Sequence, residues 1–282
     1  DYGTAPGIFI RHEGKIIVLL PGPPRELKPM FDQYVTELLK GDFHIVIKSV
    51  NTIGVGESQL EDTLRKIDLN YQGFTVNTYA SLGSVEIKII GKGMDENYLN
   101  KSLEFIIEKL KAELGDYIYG FDNISIEEAV LEKLNEKNYK IAVAESCTGG
   151  EIARRITRVA GASQAFCLGV VAYSNNSKVN ELYVSEDSLK NYGAVSSEIA
   201  YEMAKGILSK GGYDIAVSTT GFAGPTAGEG KKAGLVYICI MDRDRHLTLE
   251  RVFTGDRNTV QERATNLALS ELYKFLNYTL TE

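Results

Sequence analysis

The sequence is poor in histidine and cysteine, and this scarcity limits the chemistry that it can support. Its 282 residues include three of each type. These six residues are His12, His44, His246, Cys147, Cys167 and Cys239. The histidines are far apart, and the cysteines form no CxxC pair. A histidine-rich zinc site, a disulfide framework and a Ser-His-Asp triad are therefore disfavoured.

Other common features are missing too. No apolar run approaches the roughly 18 residues that a membrane helix needs, and no signal peptide begins the chain. The net charge is -7, and no lysine or arginine run marks a basic surface. We therefore expect no membrane association and no direct nucleic-acid binding. Sparse, unpaired cysteines favour a reducing, cytoplasmic location.

Hydrophobic periodicity divides the chain into three predicted domains. Residues 1–40 give a hairpin, with a buried-type strand at Lys15–Leu20, and one helix, which are too few elements for a core. Residues 41–122 form a small α+β connector. In residues 123–282 helices alternate with apolar strands, which indicates a three-layer α/β domain with a mixed sheet. Because the first domain looks incomplete, we expect that an N-terminal region precedes Asp1.

The β-α-β-β-α order of the connector is compatible with a KH-type RNA-binding module. Such a module needs a GxxG loop between helices to clamp the phosphate backbone. The nearest candidate, Gly91-Lys92-Gly93, has the wrong spacing and follows a predicted strand. We therefore interpret the connector as a structural or dimerisation unit, and we expect a homodimer.

The highest density of chemically useful side chains lies between Ala144 and Lys178. A strand leads into the Ser146–Gly150 turn and a helix. Ser163 then precedes a second strand, which is followed by Tyr173 and Lys178. Since no histidine lies nearby, a lysine is the remaining candidate base for a covalent hydrolase, because a desolvated amine can lose its proton near neutral pH.

Each of these residues also has a purely structural interpretation. Lys178 could be an ordinary solvated lysine at a helix start, and it could meet Ser163 only if the intervening strand were short or bent. Ser146 and Thr148 could simply cap the following helix. Alternatively, the free N–H groups at that helix start could hold a phosphate or an oxyanion.

Two later segments add candidate binding groups. The Ser218–Pro225 segment, STTGFAGP, contains Thr220 and Gly221, and it is either a tight loop or a place where a ligand approaches the backbone. Arg257 begins the last predicted helix, where it could bind a phosphate or pair with Asp256.

These motifs resemble one known family. Three segments are similar to the C-terminal domain of the competence/damage-inducible CinA proteins. They are AESCTGGEIARRITRVAGASQAFCLGVVAYSNNSK (Ala144–Lys178), STTGFAGP (Ser218–Pro225) and FTGDR (Phe253–Arg257). That domain also occurs alone as nicotinamide-nucleotide amidase. GTAPG (Gly3–Gly7) and LPGPPREL (Leu20–Leu27) resemble the end of the family's molybdopterin-binding-like N-terminal domain. The connector is similar to the family's KH-like unit.

The resemblance implies hydrolysis of nicotinamide mononucleotide to nicotinate mononucleotide and ammonia. It implies Ser163 as the nucleophile, Lys178 as its base and Tyr173 as a positioning group. The residues expected to contact this small-molecule nucleotide are Ser146, Thr148, Gly149, Thr220, Gly221 and Arg257. No metal or organic cofactor is expected for this reaction.

Two alternative functions follow from the same resemblance. An intact N-terminal domain would be associated with a metal-dependent ADP-ribose pyrophosphatase, which requires a divalent cation. The family name also suggests a non-enzymatic binding protein linked to competence.

Overall fold

The computed structural model describes residues 5–39, 43–81 and 83–277. Within these ranges the strands form three sheets of two, four and five strands, which follow one another along the chain. No helix in these ranges is long and apolar enough to cross a membrane.

The first described segment is a hairpin followed by a helix. Its elements are β1 (Ile8–His12), β2 (Lys15–Leu19) and α1 (Pro24–Met30). Glu13 and Gly14 have φ values of 48° and 74°, as in a two-residue hairpin turn. Strand β2 was predicted to be buried, and this prediction is wrong, because four of its five residues are exposed.

The second segment is a four-stranded antiparallel sheet covered by two helices. Its elements are β3 (His44–Ile53), α2 (Glu57–Leu64), β4 (Phe74–Ser81), β5 (Ser84–Gly93), α3 (Glu96–Leu114) and β6 (Ile118–Phe121). The strand order is β4-β5-β3-β6. Leu60, Ile87 and Ile106 share its core. The Gly91-Lys92-Gly93 sequence lies inside β5 and forms no loop between helices. Leu82, between β4 and β5, lies outside the described residues.

The third segment carries the five-stranded sheet. Its elements are α4 (Ile126–Glu136), β7 (Ile141–Glu145), α5 (Glu151–Thr157), β8 (Phe166–Val171), α6 (Asn175–Leu182), α7 (Glu186–Tyr192), α8 (Ser197–Ser209), β9 (Ile215–Gly221), β10 (Leu235–Met241), β11 (His246–Val252) and α9 (Arg257–Asn277). The strand order is β11-β10-β9-β7-β8. Strands β7, β8 and β9 are parallel, whereas β10 is antiparallel to both of its neighbours.

Two apolar clusters place helices on both faces of this sheet. One cluster joins the sheet to α4, α5 and α9, and the other joins it to α6 and α8. The predicted three-layer α/β fold with a mixed sheet is therefore confirmed. Helix α4 begins with a capping box, because Ser125 and Glu128 bond reciprocally at its start.

The four-stranded and five-stranded units share a packed junction. Ile53, at the end of β3, is 2% exposed and belongs to the same cluster as Leu134 of α4 and Leu269 of α9. Near it, a Cβ on Gly54 would collide with the end of the Lys274 side chain. The second sheet is therefore fixed to α9 by side-chain packing.

Candidate active site

The turn after β7 is anchored by a buried carboxylate. Glu145 is 1% exposed, and its side chain accepts hydrogen bonds from the backbone N–H groups of Gly150, Ile152 and Ala153 at 3.0, 3.1 and 2.9 Å. Glu145 thus stabilises the positive end of the α5 dipole. The helix-start amides that were candidates for binding a phosphate or an oxyanion are occupied by this side chain. Neither predicted hydroxyl cap is formed.

Ser146 follows this carboxylate and contacts a buried lysine. Lys178 is 2% exposed, and its Nζ lies 2.9 Å from Ser146 Oγ and 2.9 Å from the carbonyl oxygen of Ala172. Burial lowers the pKa of Lys178 from its ordinary value. The interpretation of Lys178 as a solvated surface lysine is therefore wrong.

Local structure explains how Lys178 becomes buried. Ser174 caps α6 by accepting a hydrogen bond from the Ser177 N–H at 3.0 Å, so the helix starts directly after β8. Lys178 then lies in the first turn of α6, where its amine reaches back to the end of β8. Helix α8 packs tightly on α6 at Gly206, where a Cβ would overlap the Leu182 carbonyl group.

The structure does not bring Ser163 and Lys178 together. Ser163 is exposed in the 3₁₀ turn Ala162–Gln164, which precedes β8, whereas the Lys178 amine contacts Ala172, which follows β8. A six-residue strand is roughly 20 Å long. The predicted pairing is therefore not formed, because the extended strand β8 separates the two side chains.

Tyr173 and Arg257 meet beside the serine–lysine pair. The Arg257 guanidinium donates to the Tyr173 hydroxyl and, at 3.0 Å, to the carbonyl oxygen of Gly224. Asp256 instead accepts a hydrogen bond from the Thr259 N–H at 2.8 Å. The interpretation of Arg257 as a partner of Asp256 is therefore not supported. Arg257 joins the ends of β8, β9 and α9.

The two predicted threonines lie at the same edge of the sheet. The Thr148 and Thr219 hydroxyl oxygens are 2.7 Å apart, and Thr220 Oγ1 donates to the Ala194 carbonyl oxygen at 2.7 Å. Thr148 and Thr220 are buried. Their hydroxyls therefore hold neighbouring segments together in this structure.

The two predicted glycines have structural reasons to be glycine. Gly149 has a φ of 66°, in the left-handed region that the turn requires. A Cβ on Gly221 would lie 2.7 Å from the Leu235 carbonyl oxygen. The close approach of β10 therefore excludes a larger residue there.

Cys147 is unsuited to be the nucleophile, although it lies next to Ser146. Burial raises the pKa of the Cys147 thiol to about 12, so the thiol stays protonated near neutral pH. In the described part of the chain, no cluster of three or more histidine, cysteine, aspartate or glutamate side chains could hold a metal ion.

Sequence reasoning missed the importance of three residues. From the sequence alone, Glu145 is either a group that orients hydroxyls or a surface residue. Gln261 of α9, which donates to the Cys147 carbonyl oxygen at 2.8 Å, was not singled out, and neither was Glu229 in the β9–β10 loop. An acidic residue at the end of a buried strand was the one available signal, since it must find donors there.

The fold and the site define an α/β protein with a buried serine–lysine pair at the carboxyl edge of a mixed sheet. The family model for the CinA C-terminal domain matches residues 123–276, and that for the damage-inducible protein CinA KH domain matches residues 47–120. The chain belongs to the CinA family.

Relatives and a solved structure agree with this assignment. A competence-damage inducible protein of Caldicellulosiruptor saccharolyticus is 46% identical over 281 residues, covering 98% of this chain and 68% of the relative. A CinA-like protein of Dictyoglomus turgidum is 41% identical over 264 residues, covering 93% and 64%. The crystal structure of a CinA superfamily protein from Klebsiella pneumoniae is similar, with a TM-score of 0.52 and 34% identity, covering 54% of this chain and 98% of that one.

Proposed function

We propose that the C-terminal unit hydrolyses the carboxamide of nicotinamide mononucleotide, with Ser146 as the nucleophile and Lys178 as its base. The observation that carries this proposal is the 2.9 Å contact between Lys178 Nζ and Ser146 Oγ, in which both residues are buried. The choice of substrate rests on the resemblance of this domain to nicotinamide-nucleotide amidase. Ser146 replaces Ser163 in the nucleophile role.

The proposed reaction has two stages. Neutral Lys178 accepts the Ser146 proton while Oγ attacks the carboxamide carbon, whose electrophilicity the pyridinium ring increases. The resulting tetrahedral intermediate breaks its C–N bond, and the leaving ammonia takes the proton from Lys178. Water then attacks the Ser146 ester. Lys178 takes a proton from this water and returns it to Ser146 Oγ as nicotinate mononucleotide leaves.

The proposed oxyanion would be stabilised by two backbone amides, those of Cys147 and Thr148. Within the described residues, neither of these N–H groups donates to another backbone group, whereas the Gly149 N–H donates to the Ser146 carbonyl oxygen at 3.1 Å. The two amides flank the proposed nucleophile in sequence. One such donor is commonly worth about 10²–10³ in rate.

Arg257 and Tyr173 supply the polar groups for the nucleotide part. Since Glu145 already occupies the N-terminus of α5, the substrate phosphate is expected to use the Arg257 guanidinium, which presents planar paired donors. The exposed Tyr173 ring next to it offers a face or a hydroxyl to the nucleoside. The partner is thus a small-molecule nucleotide.

Substitution of the two candidate serines tests the proposal. Purified wild-type chain, Ser146→Ala and Ser163→Ala are assayed for ammonia and nicotinate mononucleotide with EDTA present. Ser146→Ala should lose at least about 10³-fold in rate because the acyl-enzyme cannot form. Ser163→Ala should retain most of the wild-type rate because its side chain is remote and exposed.

Mass spectrometry of a quenched reaction should locate the acyl adduct on the peptide that contains Ser146. Thermal melts show whether each variant is folded. A folded wild-type chain without turnover, or an active Ser146→Ala variant, would contradict the proposal. Parallel reactions with ADP-ribose and Mg²⁺ test the pyrophosphatase alternative.

A further inference from the structure

The loop between β9 and β10 carries a carboxylate that binds backbone amides of a different segment. Glu229 Oε1 accepts a hydrogen bond from the Ala194 N–H at 2.8 Å, and Oε2 accepts one from the Val195 N–H at 3.5 Å. Glu229 has a φ of 57°, which lies in the left-handed region that is unfavourable for a residue with a Cβ. The contacts of its side chain hold it in this conformation.

Lys231 of the same loop binds the same segment, Tyr192–Val195. Its Nζ donates to the carbonyl oxygens of Tyr192 and Val195 at 2.9 and 2.6 Å, and it lies 3.2 Å from Glu229 Oε2. Between them the two side chains bind both the amides and the carbonyls of the Tyr192–Val195 turn. A Cβ on Gly193 would overlap the Glu229 carboxylate, so the turn is shaped around this group.

This turn adjoins the proposed catalytic residues. The carbonyl oxygen of Ala194 accepts the Thr220 hydroxyl at 2.7 Å. The preceding residue, Thr219, accepts a hydrogen bond at its carbonyl oxygen from the Ser146 N–H at 3.0 Å. A short chain of contacts therefore runs from Glu229 through the turn and the end of β9 to the nucleophile.

We propose that Glu229 is a positioning residue for the Ser146–Lys178 pair, because its carboxylate fixes the Tyr192–Val195 turn, which holds the end of β9 beside Ser146, and places a negative charge on this side of the site. This role rests on the proposed function of Lys178 as the base. Lys231 opposes the charge of Glu229. Together, Glu229 and Lys231 would set the pH below which Lys178 becomes protonated.

The charged and titratable groups around Lys178 support this assignment. Burial lowers the pKa of Lys178, while the Cys147 thiol, from the turn after β7, and Glu229, from the β9–β10 loop, act to raise it. The Cys147 thiol is neutral near pH 7. Glu145 is engaged with the α5 amides, and Arg257 with Tyr173 and a carbonyl oxygen. The carboxylate of Glu229 is therefore the charge that a substitution should remove.

Two substitutions with opposite expected effects test the proposal. Removing the carboxylate charge in Glu229→Gln should shift the acidic limb of the kcat/KM profile to lower pH, because the ammonium form loses a favourable partner. Removing the opposing charge in Lys231→Met should shift the same limb to higher pH. Below the wild-type midpoint, the first variant should be severalfold faster than wild type and the second slower.

Direct titration of the amine separates this proposal from the proposed function. The titration of Lys178 is followed through its Nζ signal in chains labelled with ¹⁵N-lysine, and Lys178→Arg assigns that signal. In folded variants the titration should shift to lower pH in Glu229→Gln and to higher pH in Lys231→Met. Glu181→Gln changes an exposed charge on the helix that carries Lys178 and should leave the titration unchanged. Opposite titration shifts without any wild-type turnover would refute the amidase alone. Titrations that do not move, or that move in the same direction, would overturn the role of Glu229.

Discussion

Lys178 is the residue on which the proposed chemistry of the site depends. A lysine side chain is rarely fully buried, because the charged amine loses its hydration. Here the amine has two oxygen partners and lies in the described structure without a carboxylate in direct contact. Such an environment favours the neutral amine, which is the form that a base requires.

This burial predicts a pH-dependent cost in stability. The pKa of Lys178 is lowered by folding, so the native chain binds fewer protons than the unfolded chain between the lowered pKa and the ordinary value of 10.5. Wild-type stability should therefore rise with pH across that window. Lys178→Met removes the titration, so its stability relative to wild type should be greatest below the lowered pKa and decline towards pH 10.5.

Urea unfolding of both chains across this pH range provides the measurement. Lys101→Met, at an exposed position of α3, serves as the matched control and should show no such slope relative to wild type. A constant difference between Lys178→Met and wild type at every pH would contradict the prediction. The constant part of the difference reports the lost contacts with Ser146 and Ala172.

The choice between Ser146 and Ser163 shows what sequence could predict at this scale. The carboxyl ends of parallel strands gather at one edge of a sheet, and sites form there. Ser146 follows β7 and Lys178 follows β8, so both belong to this edge, whereas Ser163 precedes β8. The strand pattern was therefore sufficient to favour Ser146. The contact itself joins residues 32 positions apart and depends on how α6 packs.

The crossing of α6 and α8 is the element-level feature that holds in place the helix that carries Lys178. Gly206 of α8 allows the two helix backbones to approach, since a Cβ there would overlap the Leu182 carbonyl group. Glycine inside a helix normally costs about 1 kcal/mol relative to alanine. Its presence in α8 is thus explained by packing and not by helix propensity.

Gly206→Ala should destabilise the protein despite the better helix propensity of alanine. We expect a net loss of about 1–3 kcal/mol, because the methyl group must displace α6. The displacement should also move Lys178 and lower the rate of the proposed amidase reaction. Chemical denaturation and the amidase assay measure the two effects, with Lys205→Ala on the exposed side of α8 as the control. An unchanged or increased stability of Gly206→Ala would show that the two helices are not tightly packed.

The helices and strands were more predictable than their burial and their contacts. The amphipathic pattern of α3 and the glycine after it are local signals, and they are sufficient to predict both the helix and its end. The exposed state of β2 was not predictable, because an apolar strand has the same sequence pattern whether or not another element covers it. Helix α5 was predicted as well, but its cap is Glu145, whose role depends on where the strand ends.

At the scale of the whole molecule, the second sheet and the C-terminal unit form a continuous packed junction. Ile53 of β3 lies in the core formed by α4 and α9. Arg155 of α5 donates to Glu127 of α4 and to Asn266 of α9, which ties the helices on that face together. Unfolding of the second sheet would therefore expose part of the C-terminal core.

Ile53→Ala should destabilise the two units together. Truncation of this buried side chain should cost about 2–5 kcal/mol, because it removes apolar contacts and leaves a cavity. Differential scanning calorimetry should show one transition at a lower temperature. Ile47→Ala on the same strand, where the side chain is 56% exposed, should change stability by less than about 0.5 kcal/mol. Two separated transitions in wild type would show that the units unfold independently.

The elements on either side of β8 also place the proposed reacting pair close together in the sequence. Ser146 and Lys178 both belong to the β7-α5-β8-α6 segment, so one short coding segment specifies both residues. Glu229 and Arg257, which we propose adjust and extend the site, are specified by later segments. Substitutions in those later segments can therefore change the proposed ligand contacts and pH dependence while Ser146 and Lys178 are inherited unchanged.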